Sequence, residues 1–125
     1  FQFPQRYLER AQGKKDSITG VVRQAYIWPL SNIFTNNAPL ILARMVPNSL
    51  DHPSVAGLKE TAAFAADFKK PVTLVWGQKD PILGRLISAH QKLMPHAKVE
   101  LTDGGHFIQE EYPELIAQAI QDMHK

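Results

Sequence analysis

The run Val72-Thr73-Leu74-Val75-Trp76, opened by Pro71 and closed by Gly77, constrains this chain more than any other feature. A strand that is apolar almost throughout has no face for water, so it belongs in a parallel sheet covered on both sides. A second short strand reads over Lys98-Val99-Glu100-Leu101-Thr102. Helical periodicity surrounds the two. One helix covers about 55–68, with Leu58, Ala62, Ala65 and Phe68 on one face, and another about 83–93, ended by Pro95. The last starts at Pro113 and carries Leu115, Ile116, Ala119, Ile120 and Met123 as an apolar stripe. Helix, strand, helix, strand, helix predicts parallel α/β units. Two strands cannot cover Val72–Trp76, and both sheet edges stay open. Further strands are therefore expected from a core segment upstream of Phe1 or from a second chain. The opening Phe1-Gln2-Phe3-Pro4, without Met, fits that expectation.

The first 50 residues read differently. A short helix is predicted around 5–11, ending at Gly13, and Ser17 is placed to cap a second that runs to about Tyr26 before Pro29. A third starts near Asn36-Asn37, takes Pro39 in its first turn, and stops at Pro47. Such short, aromatic-rich, proline-punctuated helices make a lid, not a self-sufficient bundle. The expected division is thus 1–50 as a helical cap segment and 51–125 as part of an α/β core.

Composition excludes several function classes. Fourteen Lys+Arg against twelve Asp+Glu give a formal charge of +2, and the only basic doublets are Lys14-Lys15 and Lys69-Lys70. No run tracks phosphates, so a nucleic-acid partner is not expected. The absence of cysteine removes disulfides, thiol catalysis and Zn–thiolate or Fe–S sites, and a reduced cytoplasm is the expected compartment. The longest apolar run, Ala38 to Ala43, is far short of the roughly 20 residues of a membrane span. His52, His90, His96 and His124 lack metal-ligand spacing, and no phosphate loop occurs, so neither metal nor cofactor is expected.

The positions with chemistry follow the two strands. Trp76-Gly77-Gln78-Lys79-Asp80-Pro81 leaves the first, and Thr102-Asp103-Gly104-Gly105-His106-Phe107 leaves the second. In doubly wound sheets, ligand-handling groups gather at the carboxyl ends of the strands. Neighbouring parallel strands would bring Asp80 and His106 to one edge, as a carboxylate that orients an imidazole and an imidazole that moves a proton. Read singly, Asp-Pro is often a turn or cap and Gly-Gly a simple turn. Read together, in acid-then-base order and one strand–helix–strand unit apart, they are more telling. Asp103 sits too close to His106 to be its partner and reads as a turn residue. Glu110 and Glu111 read as first-turn acids of the last helix.

The stretches PVTLVWGQKDPILG and VELTDGGHFIQEEYPE resemble the last two core strands of the α/β-hydrolase fold, most closely its haloalkane dehalogenase and epoxide hydrolase branch. The upstream AYIWPLSN and ARMVPNSLDHP resemble the end of that branch's helical cap. The resemblance implies an α/β fold cut to its C-terminal part, preceded by a cap segment. It implies Asp80 as triad acid and His106 as general base, acting on a small, largely apolar substrate through carbon–halogen, epoxide or ester hydrolysis. It also implies pocket roles for two cap aromatics: Trp28 giving an indole N–H to a leaving halide, or Tyr26 giving a proton to an epoxide oxygen. Core packing of an aromatic helix end is the favoured alternative for both.

One departure is large. No two of the seven glycines bracket three residues, so neither G-x-S-x-G nor G-x-D-x-G occurs, and the His-Gly oxyanion segment is missing. Without nucleophile and oxyanion donors the chain alone is expected to be inactive. The rival expectation is a non-catalytic module that forms homo-oligomers, or binds a partner, through its open sheet edge.

Overall fold

The computed structural model describes residues 3–31 and 37–123. Along the chain come α1 (Phe3–Ala11), α2 (Gly20–Ile27), a 3-10 turn at Trp28–Leu30, α3 (Ala38–Met45) and α4 (Ser54–Asp67). Then follow β1 (Thr73–Gly77), a 3-10 turn at Gly84–Leu86, α5 (Ile87–Leu93), β2 (Lys98–Thr102), α6 (Ile108–Glu111) and α7 (Pro113–Asp122). The expected helix start at Asn36 and the residue His124 lie outside the described residues.

β1 and β2 pair in parallel, with Thr73 opposite Lys98 and Gly77 opposite Thr102. The hydrogen-bonded sheet has these two strands among the described residues. Helices flank it: α7 lies against β1 and α4 against α5. The result is a mixed, parallel α/β arrangement, compatible with part of a larger α/β fold. None of its helices, among the described residues, is long and apolar enough to cross a membrane.

The strands are not covered as a fully buried parallel sheet would be. Residues 73–76 are half-buried and Leu101 is 50% exposed. The tightest packing lies beyond the carboxyl ends of the strands. Leu8, Ala11 and Ile18 from the N-terminal segment are buried there with Gly77, Thr102, Gly104, Gly105 and Glu111. That contact runs across the division at residue 50.

Two local expectations change. Ser17 does not cap α2: the helix starts at Gly20 after Thr19, and the Ser17 hydroxyl donates instead to Gln12 Oε1 at 3.0 Å. The same Gln12 oxygen accepts Ile18 N–H at 3.1 Å, so a side chain closes this loop and leaves the cap position to an extended residue. Glu110 and Glu111 do not open the last helix. They end the separate one-turn α6, and Pro113 starts α7 afresh.

Candidate active site

Both loops at the carboxyl edge are held by backbone bonds before any side chain is considered. Gln78 N–H donates to Thr102 O and Lys79 N–H to Gly104 O, each at 2.9 Å, which continues the strand pairing past its end. The Thr102 hydroxyl turns back to Trp76 O at 3.2 Å and accepts Gly104 N–H at 3.1 Å. These contacts carry Asp80 and His106 forward on one stitched platform.

The Asp80 side chain is only 9% exposed and uses both oxygens. Oδ1 accepts the backbone N–H groups of Ile82 at 2.8 Å and Leu83 at 3.1 Å, an Asx-type turn that Pro81 pre-sets. Oδ2 lies 2.9 Å from His106 Nδ1. A carboxylate oxygen can only accept, so Nδ1 carries the proton and Nε2 is the nitrogen left to take one. Burial raises the Asp80 carboxyl. The bond from His106, the two backbone N–H groups and the attraction of the imidazole charge outweigh that and hold it below its ordinary 3.8. The arrangement is an anchored, ionised acid beside a base of fixed tautomer.

Aromatic rings enclose the imidazole. Tyr7 from α1 and Phe107 meet it edge-on, with centroids 6.2 and 5.4 Å away. Tyr7 also feels the site electrically: burial first, then the Asp80 charge, raise its hydroxyl above the ordinary 10.0.

Tyr26 reaches the same loop from α2. Its ring packs edge-on against Phe107 at 5.3 Å. Its hydroxyl donates to Glu110 Oε1 at 2.8 Å and accepts from Gln109 Nε2 at 2.9 Å. Trp28 is not in a core: it is 79% exposed and lines an apolar cleft of about 480 Å³ with Val21, Ala25 and Ile27. Asp103 lies on the exposed rim, bonded to Lys79 at 3.1 Å and to the Tyr112 hydroxyl, and takes no part in the pair. His90 packs on Trp76 with ring centroids 5.0 Å apart and bonds Leu86 O. No group of three His, Asp or Glu side chains among the described residues converges as a metal ion needs.

The least foreseen residue is Glu111, 6% exposed. Its Oε1 accepts Gly13 N–H and its Oε2 Lys14 N–H, both at 2.8 Å, and Gly105 N–H is shared between the two oxygens at 3.2 Å. Gly13 and Gly105 allow this approach. A Cβ on Gly105 would collide with Ala11 O and Gly13 N, and one on Gly13 with Gly105 N. His106 N–H completes the seam by donating to Ala11 O at 2.7 Å.

Sequence comparison supplies a relative. The chain is 29% identical over 117 residues to a haloalkane dehalogenase of Mycobacterium marinum, a match covering 88% of this chain and 38% of that protein. The likeness supports a relationship to the α/β-hydrolases, and the chain spans well under half the length of this relative. No family model matches the sequence.

Proposed function

We propose that this chain supplies the acid and the base of a nucleophile–His–acid hydrolase, with the nucleophile and oxyanion donors outside its 125 residues. The observation that carries the reading is the 2.9 Å contact between Asp80 Oδ2 and His106 Nδ1, with the other Asp80 oxygen tied to two backbone amides. Asp80 holds the imidazole in one tautomer and stabilises the imidazolium, and His106 Nε2 takes the proton. With an Asp nucleophile, Nε2 deprotonates a water whose oxygen attacks the carbonyl of the alkyl-enzyme ester. The leaving alkoxide takes the proton from Nε2 and departs as the alcohol, and the Asp carboxyl so formed gives up its own proton to restore the carboxylate. With a Ser nucleophile, Nε2 deprotonates the hydroxyl itself. The substrate class is small and largely apolar, a haloalkane, epoxide or ester, in keeping with the dehalogenase likeness. The exposed Trp28 indole is the donor offered to a leaving halide. Tyr26 is the weaker candidate, because its hydroxyl proton is already given to Glu110.

The missing parts belong to a core segment of the same gene product or to a second chain. The test is hydrolysis of all three substrate types by the intact gene product, beside the 125-residue chain alone. The chain alone is expected to be inactive. His106→Ala in the intact protein should lower turnover about ten-thousand-fold with its circular dichroism unchanged. Unchanged kinetics would remove the assignment. A second reading rests on the sheet, whose two strands have one hydrogen-bonded neighbour each among the described residues. A stable oligomer of the bare chain, together with an inactive intact protein, would favour a binding module instead.

A further inference from the structure

We infer that Glu111 is the positioning residue of His106, holding the backbone from which the imidazole reaches Asp80. The inference rests on the acid–base reading above and extends it to a residue that touches neither ring nor substrate.

The geometry is a three-way clamp. The Glu111 carboxylate takes Gly105 N–H, immediately before His106, and on the other side takes Gly13 and Lys14 N–H from the turn after α1. That turn follows Ala11, whose carbonyl receives His106 N–H at 2.7 Å. The amide at 106 is therefore tied to the short segment 11–14 directly and the amide at 105 through the Glu111 carboxylate, which fastens that segment to the loop. Its Oε atoms receive main-chain N–H groups. The Lys14 ammonium goes to the Glu111 main-chain carbonyl at 3.0 Å and over the Tyr112 ring.

A buried carboxylate held by several N–H groups makes short, charge-assisted bonds and tolerates little displacement. Removing it leaves the buried Gly105 amide and the part-buried Gly13 and Lys14 amides without their acceptor, and the loop relaxes to find others. The Asp80–His106 contact is sensitive to such relaxation, because a productive hydrogen-bond geometry needs its groups placed within about 0.5 Å. Thr102 and Asp103 fasten the start of the His loop, and at Gly105, next to His106, the N–H goes to Glu111.

The ring nitrogens of His106 read this directly. The 15N-labelled intact gene product is studied by long-range 1H–15N correlation, with the His106 signals assigned by their loss in His106→Gln. The wild-type chain should show the Nδ1–H tautomer, and Asp80→Asn should abolish that preference. Glu111→Gln should abolish it too, with backbone signals remote from the loop unmoved, and Glu111→Asp should restore part of it. A Glu111→Gln chain that melts earlier yet keeps the Nδ1–H tautomer would overturn the inference while leaving the Asp80–His106 pair standing. So would unfolding of both Glu111 variants, which would make the residue a fold determinant without a positioning part. A wild-type chain lacking the Asp80-dependent tautomer would instead strike the acid–base reading, and this inference with it.

Discussion

The carboxyl edge of the sheet and the helices α3 and α4 differ in what holds them. At the edge, segments 8–18, 77–84 and 102–112 interlock through backbone amides, glycine contacts and one buried carboxylate. In α3 and α4 the large apolar side chains face outward: Leu40, Ile41, Leu42, Met45, Leu58 and Phe64 are all at least half exposed. The chain's order is thus concentrated where polar groups meet with fixed geometry, and its apolar surface is largely uncommitted. Hydrophobic burial is the dominant favourable term for most domains. Here the greasiest helices contribute least to it within the chain, and the candidate site is the best-packed region.

Substitutions can break that contrast. The largest expected effect is at the glycine seam: Gly105→Ala drives a Cβ into Ala11 O and Gly13 N, and should lower stability by about 3 kcal/mol in urea unfolding. A loss below about 0.5 kcal/mol would mean the seam is loose. Next comes acid. Because the Asp80 carboxyl lies lower in the folded chain than its ordinary 3.8, its contribution is fully present above that value. The contribution fades as pH falls through the lower, folded pKa. Asp80→Asn should remove this acid-side loss from the stability–pH curve, and a variant curve parallel to wild type would contradict the ionised pair.

A smaller effect is expected where α2 meets the His loop. Tyr26→Phe keeps the ring on Phe107 but deletes the bonds to Glu110 and Gln109, at about 1 kcal/mol. Hydrogen exchange should speed up in 20–27 while 102–106 stays protected. The smallest belongs to the outward helices: Leu42→Ser, at a side chain 68% exposed, should shift stability by no more than about 0.5 kcal/mol. A loss above 1 kcal/mol would mean that α3 is covered in solution, and would sharpen the contrast into a statement about what covers it.

Much of this was legible in the sequence because its signals are local. The apolar run at 72–76 marked β1, Pro113 marked the start of α7, and strand-end positions picked out Asp80 and His106 as a pair worth weighing. Glu111 was not legible. In an acidic pair just before a proline-led helix, it reads as a solvated first-turn acid. Its burial is decided by Gly13, 98 residues away, where no periodicity reaches. Ser17 misled for a related reason: Gln12 offered its hydroxyl a better partner than the helix end did. Trp28 failed in the opposite direction, since aromatic residues usually pack and this one faces out.

The parallel register has a consequence for how such a chain tolerates insertions and deletions. Gly77 stands opposite Thr102, and Asp80 and His106 follow three and four residues later. The ladder acts as a ruler, so the distance between the two groups is counted from strand ends and is blind to the path joining them. The crossover between Gly84 and Lys98 is free to lengthen or shorten over evolutionary time without moving either group. One residue added at 78–79 or 103–105 would put Asp80 and His106 out of step.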